Sequence, residues 1–154
     1  MINNHKAITI LMADDDPDDR MLTRDALTES HLLNDFETVE DGEDLMDYLL
    51  HRGKFSGDQE RPYPGLILLD LNMPRKDGRE ALKEIKSHPD LRSIPVVVMT
   101  TSKAEEDILS TYDLGVNSFI TKPVTFEGLV DVLKVIGRYW FGVVELPRNE
   151  THAP

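Results

Sequence analysis

Four short apolar runs in this chain each stop at residues able to do chemistry. Ile8 to Ala13 is followed by Asp14-Asp15-Asp16, Leu66 to Leu69 by Asp70, Val96 to Met99 by Thr100-Thr101, and Ser118 to Thr121 by Lys122-Pro123. If these runs are neighbouring strands pointing the same way, carboxylates, a hydroxyl and an ammonium from distant parts of the chain meet in one place. Packing a core calls for no such gathering. Three carboxylates about 5 Å apart repel by roughly 3 kcal/mol per pair at an effective dielectric of about 20, so the group needs a cation or raised pKa values. A hard divalent ion held by oxygen answers that need. With few protein ligands and several waters, Mg2+ suits it better than the closed cage that Ca2+ prefers. Asp15 and Asp70 are the expected ligands, whereas Asp16, Asp18 and Asp19 read as an acidic helix start, serving as cap and dipole compensation.

The elements that would position these groups follow from hydrophobic periodicity. The runs named above, with the weaker Phe36 to Val39, are too short for helices and alternate with stretches whose apolar residues recur every three or four positions. Leu45, Met46, Leu49 and Leu50 mark one helical face and Ala81, Leu82 and Ile85 another. Phe126, Leu129, Val130, Leu133, Ile136 and Trp140 mark a last helix. Asp16 before Pro17 is an N-cap followed by a proline at the first helical position. Five strands alternating with five helices predict an α/β fold, a doubly wound five-stranded parallel sheet with helices on both faces, in which ligands sit beyond the carboxyl ends of the strands. The polar loop from His51 to Gly65 is long enough to be functional or mobile.

Composition narrows the function. The 154 residues, 40% of them hydrophobic, suit one domain. No cysteine is present, which excludes disulfides and thiolate metal sites and is compatible with a cytoplasmic setting. A formal charge of -12 at pH 7, with no basic stripe, argues against direct nucleic-acid binding. Neither a signal peptide nor a membrane span is expected. The five histidines show no metal-ligand spacing, and no phosphate-binding glycine motif follows a strand.

The segments Leu11 to Pro17, Leu68 to Pro74 with Asp77-Gly78, Val98 to Thr100 and Phe119 to Pro123, in this order, resemble the receiver domain of two-component response regulators. The match runs from about Ile8 to about Gly137. The resemblance implies a flavodoxin-like sheet of order 2-1-3-4-5, with one receiver domain over residues 1–147 and a flexible tail over 148–154. It implies that Asp70 accepts a phosphoryl group from a histidine kinase and that Mg2+ or Mn2+ is held by Asp15 directly, by Asp14 through water, by Asp70 and by the backbone carbonyl of Asn72. Lys122 and Thr100 would each contact a phosphoryl oxygen. Thr100 and Phe119 would form the switch, Asn72 and Ser102 would tune dephosphorylation, and a cis peptide would join Lys122 to Pro123.

The resemblance leaves no room for an output domain, so signalling by protein contact is expected, with no enzymatic activity beyond the chain's own phosphorylation and dephosphorylation. The loop before the third strand, the stretch Arg75 to Glu80 and the ending Tyr139-Trp140-Phe141 are similar to the small regulators that partner bacterial phytochrome kinases. Those three aromatics, with Val143, Val144 and Leu146, predict an apolar patch and hence a homodimer built partly from the last helix, or else a tail folded over its own core. Two rivals fit less well. A phosphohydrolase of the haloacid dehalogenase type wants a second acid where Asn72 stands. A pseudo-receiver that binds without being phosphorylated would have lost the acidic pair, the acceptor or the lysine, and all are kept here.

Overall fold

The computed structural model describes residues 8–30, 34–57, 63–100, 118–123 and 125–138, apart from the side chains of residues 100 and 118. Five strands, β1 (Ile10–Ala13), β2 (Phe36–Val39), β3 (Leu66–Leu69), β4 (Val96–Thr100) and β5 (Ser118–Thr121), form a single sheet of order β2-β1-β3-β4-β5. Every pairing is parallel. The described helices are α1 (Pro17–Glu29), α2 (Gly42–Leu50), α3 (Gly78–Ser87) and α4 (Phe126–Ile136). The segment between β4 and β5, where the alternation calls for a further helix, lies outside the described residues.

Period-two alternation along the strands divides the core into two layers. Leu11, Ala13, Ile67, Leu69, Val96 and Val98 face one side and pack with Leu45, Leu49, Leu82 and Ile85 of α2 and α3. Ile10, Met12, Leu66, Leu68 and Val97 face the other and pack with Ala26 and Leu27 of α1 and Leu129, Leu133 and Ile136 of α4. β1 and β3 are buried along their whole length, which is why they read as unbroken apolar runs, whereas the edge strand β2 is only partly buried and reads weakly.

The helix starts are chemically marked. Asp16 accepts from the Asp18 N–H at 2.9 Å, with Pro17 at the first helical position. Asp77 and Glu80 form a reciprocal capping box on α3, and Thr125 caps α4. Residues 51–57 of the His51 to Gly65 loop pack against α2. His51 ends that helix in the left-handed region, and Phe55, in a 3-10 turn, packs edge-on against Tyr48. No described peptide bond is cis, so Lys122 joins Pro123 in trans, against the expectation drawn from the family resemblance.

Candidate functional site

Parallel strands in register end together, and that alone assembles the site. Ala13 of β1 lies beside Leu69 of β3, so the next residues, Asp14 and Asp70, emerge side by side. Their backbones are tied down as well, Asp70 N–H to the Ala13 carbonyl at 3.0 Å and Asp14 N–H to the Val39 carbonyl at 3.1 Å. Thr100 of β4 pairs with Thr121 of β5, which puts Lys122 at the same edge.

Asp14, Asp15 and Asp70 can each offer a carboxylate oxygen such that all three lie within 4.8 Å of one another. Asp14 is fully buried, Asp70 nearly so, and Asp15 exposed. The Asp70 Oδ1 accepts the Asn72 N–H at 3.2 Å, and its Oδ2 stands 3.6 Å from the Lys122 Nζ. Beneath Asp70, the Gly78 N–H donates to the Leu71 carbonyl at 2.9 Å. A Cβ at Gly78 would stand 2.3 Å from the Asp70 carbonyl oxygen, so the start of α3 can reach this backbone only through a glycine.

Lys122 is the described cation within the cluster. Its ammonium donates to Asp14 Oδ2 at 2.6 Å and to Asp19 Oδ2 at 2.7 Å. Burial opposes its charge, yet the hydrogen bonds to Asp14 and Asp19 hold it above the ordinary lysine range. Burial pushes the Asp14 carboxyl up, in spite of the hydrogen bonds from Lys122 and the Asp16 N–H. Both remedies for crowded carboxylates, a cation and a raised pKa, are therefore present. Three hard oxygen donors converging on one point, one of them open to solvent, fit an ion such as Mg2+ or Mn2+.

The structure brings Asp14, Asp15, Asp70, Asn72 and Lys122 together at one sheet edge. Phe119 is half-buried and packs against the core layer of α2 and α3. Ser102, the Thr100 side chain, and Tyr139, Trp140 and Phe141 lie outside the described residues.

Reading Asp19 as part of a helix start alone is corrected, because its carboxylate is turned to Lys122. The sequence signal was ambiguous: an acid in the first turn of a helix serves the dipole whether or not it also meets a distant cation. Arg20, which donates to the Asp14 carbonyl at 2.7 Å, was also missed. So was Arg75, which binds Asp41 at 2.9 Å from a left-handed backbone in the loop between Asp70 and α3.

Comparison with known proteins follows the same lines. A model of the response regulator receiver domain matches residues 10–134. Over 138 residues the chain is 41% identical to response regulator Rcp1 of Synechocystis sp., covering 90% of this chain and 92% of that protein. Its fold is similar to that of the phosphorylated cyanobacterial phytochrome response regulator RcpA, with TM-score 0.82 and 42% identity over 90% of this chain and 96% of the other. It is similar also to the Mn2+-bound form of Rcp1, with TM-score 0.77 and 40% identity over 86% of this chain and 94% of the other.

Proposed function

Since this chain belongs to the response regulator receiver domain family, we propose that it is a phosphoryl acceptor whose nucleophile is Asp70. The observation that carries this reading is the meeting of Asp14, Asp15, Asp70 and Lys122 at one sheet edge. A carboxylate oxygen of Asp70 attacks the phosphorus of a kinase phosphohistidine. The P–N bond breaks, its electron pair stays on the imidazole nitrogen, and Asp70 becomes an acyl phosphate.

The Asn72 N–H fixes Asp70 Oδ1, so Oδ2, on the Lys122 side, is the oxygen free to attack. Lys122 then meets a phosphoryl oxygen, and the Thr100 hydroxyl another. Asp14, Asp15, Asp70 and the Asn72 carbonyl would hold Mg2+ or Mn2+, which when bound supplies positive charge against the phosphoryl oxygens. Phe119 follows Thr100 as the switch aromatic, and Asn72 and Ser102 set access of water to the acyl phosphate. The chain catalyses only its own phosphorylation and dephosphorylation.

A sensor histidine kinase is the donor, and the likeness to RcpA supports a phytochrome as that kinase. The protein works in the cytoplasm and signals by protein contact, as a homodimer through α4 and Tyr139, Trp140 and Phe141. Val135 is exposed beside Val132 and Ile120, an apolar strip suited to such a face. Deleting the residues after Arg138 is expected to halve the mass in solution, and an unchanged dimer overturns this interface.

Exposure to acetyl phosphate with Mg2+, followed by intact mass, is expected to add one phosphoryl group, lost in Asp70→Asn and on chelation. Label on a histidine or serine, or no added mass, overturns the assignment. Turnover of many equivalents of a phosphate ester would favour a phosphohydrolase instead.

A further inference from the structure

We propose that Asp19 is a positioning residue that tethers the Lys122 ammonium for phosphoryl transfer, an inference resting on the acceptor reading above. An ammonium has three donors. Lys122 directs one to Asp14 Oδ2 at 2.6 Å and one to Asp19 Oδ2 at 2.7 Å, with Asp70 Oδ2 at 3.6 Å. The third donor is thus the one left for the nucleophile's edge.

The two close carboxylates are not equivalent. Asp14 belongs to the cluster that can hold a cation, and its Oδ1 is already occupied by the Asp16 N–H. Asp19 stands outside that cluster. Its place is set by α1, whose start is capped by Asp16 and stiffened by Pro17, and whose next turn is fastened where the buried Thr23 hydroxyl donates to the Asp19 carbonyl at 2.8 Å. Capping does not use its carboxylate, since Asp16 performs that task. An anchor independent of the metal cluster is therefore available to the lysine when Asp14 is engaged elsewhere.

Packing does not replace this anchor. A cavity of about 80 Å³ between α1 and α4 runs alongside Lys122, bordered by Leu22, Met99, Pro123 and Phe126. With space beside its stem, the lysine is located by what its head group binds. Released from Asp19, the ammonium would settle on Asp14 and Asp70, covering the nucleophile and competing with a cation. Held by Asp19, it can pivot toward a phosphoryl oxygen while keeping one fixed partner.

The test uses the full chain with Asp19→Asn, Asp19→Ala and Asp19→Glu. In metal-free protein, the 15N NMR signal of the Lys122 ammonium is expected to shift in Asp19→Asn and Asp19→Ala, as the ammonium moves onto Asp14 and Asp70, and to stay near its wild-type position in Asp19→Glu. At saturating Mg2+, labelling of Asp70 by acetyl phosphate is expected to slow about tenfold in Asp19→Ala, within the roughly hundredfold that a 1 Å misplacement can cost. Asp19→Glu should recover part of the rate. In a Lys122→Ala background, Asp19→Ala should slow labelling no further. An unchanged ammonium signal, a wild-type labelling rate in Asp19→Ala, or an equal slowing in the Lys122→Ala background overturns the tether while leaving the acceptor reading intact. Failure of the wild-type chain itself to take up a phosphoryl group overturns both.

Discussion

Two groups of aspartates in this protein face basic side chains, and they are held in opposite ways. Around Asp14, Asp15, Asp70 and Asp19, the ammonium of Lys122 is shared by three of the four carboxylates, Asp14, Asp19 and Asp70. Around Asp41 and Asp44, two carboxylates meet two cations, Arg75 at 2.9 Å from Asp41 and 3.6 Å from Asp44, and Lys54 at 3.3 Å from Asp44. The Asp41 Oδ1 also accepts the Asp44 N–H at 2.9 Å as the cap of α2. Burial works against the charge on Asp41, yet the Asp44 N–H and Arg75 outweigh it and hold this carboxyl below its usual range. Asp14 goes the other way. A cluster saturated with donors serves structure, whereas one that, among the described residues, is short of positive charge is left able to take up a cation.

The second cluster also serves the first. Arg75 and the Lys76 carbonyl, which accepts the Gly42 N–H at 2.9 Å, fasten the loop that follows Asp70 onto the start of α2. Nothing in the immediate sequence of Asp70 would reveal this support.

The contrast is most strongly tested by removing the scarce cation. Lys122→Ala leaves Asp14 buried next to Asp70, and is expected to lower the metal-free stability to urea by about 3 kcal/mol. Mg2+ should restore part of that loss. An unchanged metal-free stability would show that the first cluster is no shorter of charge than the second.

Two glycines come next. A Cβ at Gly78 would stand 2.3 Å from the Asp70 carbonyl oxygen and one at Gly42 2.2 Å from the Lys76 carbonyl oxygen, so either alanine should cost about 2 kcal/mol by overpacking. Thermal melts should show similar losses, while acetyl phosphate labelling should suffer far more in Gly78→Ala. Equal slowing would mean that the two loop ends control Asp70 alike.

Asp41→Ala should cost about 1 kcal/mol, as an N-cap does, with Mn2+ affinity measured by calorimetry unchanged. A large fall in affinity would erase the distinction between the clusters.

The smallest expected effect is in acid. Because the folded Asp41 titrates below 3.8, its contribution to stability is complete above that pH and fades as pH falls through the folded value. Facing it are Arg75, Asp44 and Glu43, with Lys54 on Asp44. Asp41→Asn should lack this part of the acid slope in urea titrations carried downward from about pH 5, and an unchanged slope would count against the donor-saturated picture.

The strands and the residues at their carboxyl ends were legible because both signals are local. A buried parallel strand must be apolar throughout, and the residue that ends it stands out by type, as Asp14, Asp70 and Lys122 do. The edge strand β2 was faint for the same reason, since only Val39 of it is fully buried.

Chain order and residue type thus determined the sheet and the carboxylates and lysine gathered at the carboxyl ends of its strands. Only tertiary structure decided that Asp19 binds Lys122, that Arg20 and Arg75 brace the loops, and that Gly78 must be a glycine. The reason is physical. Hydrophobic periodicity is written into neighbouring residues, but an acid at a helix start looks the same whether it caps its own helix or holds a cation 103 positions away. That choice belongs to the packing that brings the two within reach.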